Sequence, residues 1–242
     1  MKKLFFLKVI FLNMLIMLMA LSVAIADQVQ LYQQLGYSYG YGGEFTAKIV
    51  ENAVGPDLNL NWAYYNLNTS NIGGYEPSFQ TFCLEHGETF SPGTPYYVTI
   101  SNMAINGGVS PGGDPISLGT AWLYQMFATG TLGNYNYDSG RSTSAGLLQE
   151  MIWYLEGEIT AYTIGNPFAA LLVSQFGSLT NAMANNNGTY SVAVLNLYDS
   201  SGGLHQDQLV LVPEPSTLLL LGAGLLGLGL LGRRKGSKKI SA

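Results

Sequence analysis

Residues 142–156 read STSAGLLQEMIWYLE, and this stretch carries the pattern that decides the fold. Apolar side chains recur in it at the i, i+3, i+4 and i+7 spacing of one helix face, at Leu148, Met151, Ile152 and Leu155. The spacing predicts a helix that packs on a core, with Ser144 or a neighbour as its N-terminal cap. Gln149 lies beside this stripe. Together with Trp153, one turn later, it is expected at the edge of the buried surface.

Two more helices are predicted around this one, over residues 118–129 and 167–185, with Pro167 suited to a first helical turn. Strand-like alternation precedes and follows the helices, in residues 44–50, 79–84, 96–100, 190–197 and 208–212. We find no internal repeat. This order predicts an α+β fold, in which a β-sheet or sandwich framework holds an inserted block of about three helices.

The beginning of the chain has the composition of an export signal. Lys2 and Lys3 precede a mostly apolar run over residues 4–23, and the small residues Ala24 and Ala26 follow. We therefore expect residues 1–26 to be a signal peptide that is removed after Ala26. The protein is then expected to act at the cell envelope, at the cell surface or in the extracellular matrix.

The last thirty residues combine three unlike elements in a fixed order. They are a short proline motif, an uncharged apolar stretch and a basic cluster: Pro213-Glu214-Pro215, residues 217–232, and Arg233-Arg234-Lys235. Residues 213–242 resemble the PEP-CTERM sorting signal of Gram-negative bacteria, and the resemblance implies processing by an exosortase-type enzyme. The apolar stretch makes a helix of about 24 Å, short for a bilayer, so we expect transient or stable membrane anchoring there.

The segment between the two ends, residues 27–212, is long enough for one exported domain with a sizeable core. It contains two basic residues, Lys48 and Arg141, against fourteen acidic ones, which gives a formal charge of −12. A phosphate backbone needs a basic surface that this segment lacks. Nucleic-acid binding is therefore excluded.

Cys83 is the lone cysteine, so an exported chain of this kind cannot close an internal disulfide with it. A small buried apolar side chain is the simplest interpretation. A chemical role for the thiol is the other interpretation.

Two short segments, Phe82-Cys83-Leu84 and Leu148-Gln149-Glu150-Met151-Ile152-Trp153, resemble the motifs of the Cys-Gln thioester domains of bacterial surface adhesins. The glutamine, isoleucine and tryptophan match in register, whereas Leu148 stands where that family has threonine and Met151 where it has alanine. The resemblance implies an internal thioester between Cys83 and Gln149. Such a bond acylates an incoming amine or hydroxyl once, so the protein would not be a turnover enzyme.

The supporting residues of this hypothesis are those adjacent to the pair in sequence. Phe82 and Trp153 are expected to exclude water from the thioester, while His86 or Glu150 is the candidate for proton transfer. Gln125 is a reserve candidate for the carboxamide. The covalent partner is not identified by the sequence, and neither a cofactor nor a metal ion is predicted.

Three alternatives remain open at this point. His86, His205 and Asp207 suggest a cysteine hydrolase or a metal half-site, although a zinc ion needs more soft ligands than these. Tyrosine clusters in residues 37–41 and 134–138 suggest a noncovalent structural or polysaccharide-binding matrix protein instead.

Overall fold

The computed structural model describes residues 28–212 apart from 41, 51–74, 76–77, 106–111 and 139. The predicted signal peptide and the predicted sorting tail, including Pro213-Glu214-Pro215 and Arg233-Arg234, lie outside the described residues. Among the described helices, none has the length and apolar character needed to cross a membrane. The predicted anchoring segment, residues 217–232, falls outside that statement.

Six strands form one antiparallel sheet in the order β3-β2-β1-β4-β7-β8. Their bounds are β1 Gln28–Tyr39, β2 Gly42–Ile49, β3 Ser78–Thr81, β4 Pro95–Ser101, β7 Val192–Tyr198 and β8 Leu204–Leu211. Two short strands, β5 Met103–Ala104 and β6 Asp114–Pro115, pair separately.

The two edge strands of the sheet, β3 and β8, meet directly after β3 ends. The Leu84 backbone N–H donates to the backbone carbonyl oxygen of Asp207 at 3.1 Å. The Leu209 backbone N–H donates to the backbone carbonyl oxygen of Phe82 at 3.0 Å. Between these two bonds, Cys83 lies opposite Gln208 in an antiparallel bridge. The sheet therefore closes on itself along a seam that contains Cys83.

Four helices are inserted between β6 and β7: α1 Leu118–Ala128, α2 Arg141–Leu155, α3 Pro167–Phe176 and α4 Leu179–Ala182. Helix α2 packs against β1 and β2, and α1 packs against β7 and β8. The predicted stripe of α2 lies in the core, since Leu148, Met151 and Ile152 are each 0% exposed.

A buried ion pair joins the start of α2 to the sheet. The Arg141 guanidinium donates through two nitrogens to the two carboxylate oxygens of Glu44 on β2. The Tyr135 hydroxyl also donates to Glu44, at 2.7 Å, so the buried carboxylate is well satisfied. Such a pair fixes how a helix sits on a sheet, because moving either residue leaves an uncompensated buried charge.

The predicted α+β class is confirmed, and the differences are local. Ser144 does not cap α2; the helix begins after Gly140, and the Ser144 hydroxyl accepts from the Asn136 N–H at 3.0 Å. The predicted third helix is divided at Gly177, whose φ of 81° ends α3, whereas Pro167 is in its first turn as predicted. Of the two predicted frameworks, sheet or sandwich, the described residues form the sheet: six strands closed on themselves, with β5 and β6 as a separate pair.

Candidate functional site

Cys83 lies at the seam where the sheet closes, and Gln149 reaches it from the third turn of α2. The Cys83 Sγ atom is 3.3 Å from Gln149 Oε1, although the two residues are 66 positions apart. Both residues are buried, at 0% and 1% exposed. The thiol and the carboxamide are therefore in direct contact inside the protein.

The Gln149 carboxamide is held by the backbone on both of its polar atoms. Its Oε1 accepts from the Cys83 N–H at 3.2 Å and from the Gly43 N–H at 3.4 Å. Its Nε2 donates to the Cys83 carbonyl oxygen at 2.8 Å. These bonds compensate the burial of a polar amide and fix its orientation toward the sulfur.

This close approach of helix and strand requires glycine at the start of β2. A Cβ on Gly42 would lie 2.6 Å from the Trp153 ring and 2.7 Å from Gln149 Cγ. Gly43 has a φ of 95°, a conformation that other residues rarely adopt. Neither glycine was predicted from the sequence to be part of the site.

The apolar side chains next to the pair in sequence belong to the hydrophobic core. Phe82, Leu84 and Met151 are 0%, 2% and 0% exposed. On the outer side, the Trp153 ring packs edge-on against His86, with ring centroids 4.7 Å apart. Phe82 is therefore a core residue and Trp153 lines the cavity next to Gln149, while their role in excluding water stays a prediction.

A cavity of about 600 Å³ opens in front of Gln149. Its walls come from the β1–β2 hairpin, from α2 and from the segment after α2, with Tyr39, His86, Glu150, Trp153 and Thr163 among the lining residues. A second cavity of about 320 Å³ shares His86 and is lined on its far side by Phe90 and Gln206. Among the residues that the structure describes, no lysine or arginine lines either of these two cavities.

The electrostatic environment keeps the sulfur protonated. Burial, and after it the nearby Glu85 carboxyl, raises the pKa of the Cys83 thiol far above its ordinary range. Burial, with Asp207 and Glu88 as further causes, raises the pKa of Glu85 to about 9. The ionised, nucleophilic form of Cys83, which a cysteine hydrolase needs, is therefore disfavoured.

The residues of the alternative interpretations, Asp207, His205 and Gln125, make contacts that do not involve the Cys83 thiol. The Asp207 carboxylate accepts from the backbone N–H groups of Ile105 and Leu197, and His205 packs against Tyr96, so the hydrolase alternative lacks its assembled groups. In the described part of the chain, no three His, Cys, Asp or Glu side chains are grouped as a metal site. The Gln125 side-chain oxygen accepts from the Ser191 N–H. Among the described residues, no hydrogen bond joins Gln125 to Cys83.

The candidates for proton transfer, His86 and Glu150, lie in the cavity rather than at the sulfur. His86 and Glu150 both line the cavity, but Glu150 accepts from the Thr163 hydroxyl at 2.8 Å rather than contacting Cys83. In the predicted tyrosine clusters, Tyr135 is 7% exposed and belongs to the core, whereas Tyr39 is 65% exposed and lines the cavity. The Tyr135 ring is therefore not available at the surface for stacking on a sugar.

Comparison with curated proteins and with solved structures found no significant match. A match was found at the C-terminal end, where residues 211–235 correspond to the PEP-CTERM protein-sorting motif. The predicted motif residues, from Pro213 to Arg234, fall within this match, so the sorting-signal prediction is confirmed. The chain therefore carries a PEP-CTERM sorting motif, which implies an exported protein that exosortase processes and that is sorted or anchored at the cell envelope.

Proposed function

We propose that Cys83 and Gln149 form an internal thioester, through which the exported protein attaches itself covalently to an amine- or hydroxyl-bearing partner. The observation that carries this proposal is the 3.3 Å contact between Cys83 Sγ and Gln149 Oε1, which joins two buried residues. Adhesion or cross-linking of the extracellular matrix is the consequence. Each molecule reacts once.

The bond changes are balanced in both steps. In the first, Cys83 sulfur adds to the Gln149 side-chain carbonyl carbon, the carbon–nitrogen bond breaks, and ammonia leaves with the thiol proton. In the second, a partner amine or hydroxyl adds to the same carbon and the carbon–sulfur bond breaks. The partner's proton goes to the sulfur, so that an amide or ester and a free Cys83 thiol remain.

The backbone around Gln149 is suited to both steps. Each passes through a tetrahedral state in which the former Oε1 carries negative charge. The N–H groups of Cys83 and Gly43 point at this oxygen, 3.2 and 3.4 Å away. Fixed donors of this kind lower the energy of the charged state without reorganisation.

The cavity of about 600 Å³ gives the partner access to one side of Gln149, while the sulfur stays buried on the other. Glu150 and His86 stand in this cavity as groups that can accept a proton from an incoming nucleophile. Because Glu150 lines the cavity and no described lysine or arginine does, an amine or a neutral hydroxyl is favoured over an anionic partner.

Intact mass of the purified protein tests the proposal. We expect the wild type to be lighter than its sequence by one ammonia, because thioester formation expels it. The deficit should disappear in Cys83→Ala and in Gln149→Ala. Methylamine should add its own mass to the wild type and expose one titratable thiol.

Gln125→Ala is the matched control, since it removes a partly buried helical carboxamide that does not contact Cys83. This variant should keep the ammonia deficit. Full, unmodified mass in wild type purified without added amines contradicts the thioester. Loss of the deficit in Gln125→Ala would move the cross-link to the other helix.

A second candidate is noncovalent binding of polysaccharide, and the exposed ring of Tyr39 at the cavity mouth favours it. Aromatic faces beside carboxylate and hydroxyl groups suit stacking on sugar rings. Retention on a polysaccharide column that is lost in Tyr39→Ala, in protein of full mass, identifies this function instead.

A further inference from the structure

The ring of Tyr39 forms part of the wall of the cavity in front of Gln149, and it is largely open to solvent. Its side chain packs on helix α2 at Gly146, where an added Cβ would lie 2.8 Å from the ring carbon Cδ1. Because Gly146 has no side chain, the ring lies close against the helix, yet Tyr39 remains 65% exposed. The cavity mouth therefore carries a fixed aromatic surface.

This surface is close to the reacting carboxamide. Gly146 and Gln149 are three residues apart on α2, so they share one face of the helix and lie about one turn, or about 5 Å, apart along its axis. On the strand side, Tyr39 pairs with Gly42, and a Cβ on Gly42 would lie 2.7 Å from Gln149 Cγ. A single sugar ring that stacks on Tyr39 is therefore wide enough to reach Gln149.

Groups that form hydrogen bonds with hydroxyls line the same cavity. The Glu150 carboxyl accepts from the Thr163 hydroxyl at 2.8 Å and from Asn166 Nδ2 at 3.2 Å, so it is held in place one residue after Gln149. Thr143 adds a second hydroxyl to the lining. An aromatic face bordered by polar groups matches a pyranose, whose ring faces carry C–H groups and whose edge carries hydroxyls.

The site is larger than a small nucleophile needs. The second cavity, of about 320 Å³, shares His86 with the first, and Gln33, Thr89 and Gln206 are among its other lining residues. Amide and hydroxyl groups therefore continue on the far side of the imidazole. A chain of sugars can use both spaces, whereas a single amine uses one.

Charge and proton transfer narrow the choice of partner further. Glu150 lines the first cavity and Glu88 the second, while none of the described lysine and arginine residues lines either, so an anionic polysaccharide is disfavoured. A hydroxyl, unlike a free amine, needs a base that takes its proton as it attacks. His86 and Glu150 both lie in the cavity where they can do so.

We propose that the covalent partner is a neutral polysaccharide, of which one pyranose ring stacks on Tyr39 and presents a hydroxyl group to Gln149. The inference rests on the proposed function and names its partner. The hydroxyl oxygen bonds to the Gln149 carbonyl carbon, and the carbon–sulfur bond breaks with its electron pair going to Cys83. The hydroxyl proton passes to that sulfur, so that a sugar ester on residue 149 and a free thiol remain.

Intact mass after incubation with neutral methyl pyranosides tests this partner. We expect wild type to form an ester with methyl glucoside, methyl galactoside or methyl mannoside at least about tenfold faster than with glycerol, because stacking holds the ring beside Gln149. Tyr39→Leu keeps an apolar side chain against Gly146 and removes the aromatic face. It should lose about tenfold of this preference, while its rate with methylamine stays that of wild type.

Tyr97→Leu is the matched control and should keep the preference, since Tyr97 is an exposed tyrosine of β4 that lines neither cavity. If wild type has the ammonia deficit but reacts with none of the three pyranosides faster than with glycerol, the sugar partner is rejected and the thioester stands. A preference that survives in Tyr39→Leu rejects the stacking role, and faster reaction with anionic methyl glucuronide rejects the neutral partner. Full mass in wild type overturns the thioester and the sugar ester together.

Discussion

Glu85 is an acidic side chain held at the seam of the sheet, where its charge is poorly solvated. It is 2% exposed, and its Oε2 accepts from the Asp207 N–H at 3.1 Å. Its Oε1 has no hydrogen-bond partner in the described part of the chain. Burial, with Asp207 and Glu88 as further causes, raises its pKa to about 9, so the carboxyl is neutral at pH 7.

This raised pKa predicts a pH dependence of stability. The folded protein holds the Glu85 proton up to about pH 9, whereas an ordinary glutamate releases it near 4.5. The contribution of Glu85 to the free energy of unfolding is therefore fully present below pH 4.5 and is lost as the pH rises toward 9. The loss approaches about 1.4 kcal/mol per pH unit at its steepest.

Glu85→Gln tests this at the residue level, because glutamine keeps the shape and has no proton to lose. Urea unfolding between pH 5 and pH 9 should give a flatter stability profile in this variant than in wild type. The exposed Asp138→Asn is the matched control and should leave the slope as it is. Identical slopes in wild type and Glu85→Gln contradict the assignment.

Among the elements, the contact between α2 and β2 depends on Gly42, which has no side chain. Gly42 lets the strand approach the carboxamide of Gln149 and the ring of Trp153, and the Glu44–Arg141 pair holds the other end of the helix. Both features are needed, since the ion pair fixes where the helix starts and the glycine fixes how near it comes.

Gly42→Ala should therefore separate the helix from the strand. Its Cβ would lie under 3.0 Å from two side chains, and overpacking of this kind costs about 1–3 kcal/mol. We expect a lower urea midpoint and a smaller fraction of protein with the ammonia deficit. Gly87→Ala is the matched control, because a Cβ there has nothing within 4 Å. Equal stability of both variants would refute the close-contact argument.

Helix α2 could be predicted from sequence because its buried stripe is periodic within a short window. Strand β1 was missed: Val29 and Leu31 alternate as buried residues, but the amides and glycine after them interrupt the pattern. The division of the third helix at Gly177 was missed for another reason. A glycine inside a helical pattern does not reveal its φ until the chain is folded.

The site was predictable only in part, for a physical reason. Cys83 was singled out as the lone cysteine, and its pairing with Gln149 was implied by the resemblance to thioester domains. Gln149 was expected at the edge of the buried surface, whereas it is 1% exposed. Its burial depends on donors from Gly43 and Cys83, which lie on other elements. Contacts between distant parts of the chain have no local signal, and Glu85 was missed for the same reason.

At the scale of the whole molecule, the proposed thioester would be a cross-link between the sheet seam and the helical block. It would close a loop between residues 83 and 149, which are 66 positions apart. A cross-link restricts the unfolded chain, and the chain-entropy relation for a loop of this length gives about 4 kcal/mol. The free energy of unfolding should therefore fall when the bond is opened, even if the folded contacts survive.

Methylamine provides that comparison within one sequence. Wild-type protein unfolded in urea after methylamine treatment should be less stable than untreated protein, by up to about 4 kcal/mol on the entropy argument. Gln149→Ala has no bond to open, so the same treatment should leave its urea midpoint unchanged. If wild type gains the mass of methylamine without any loss of stability, the cross-link does not constrain the unfolded chain, and the thioester acts only as a reactive group.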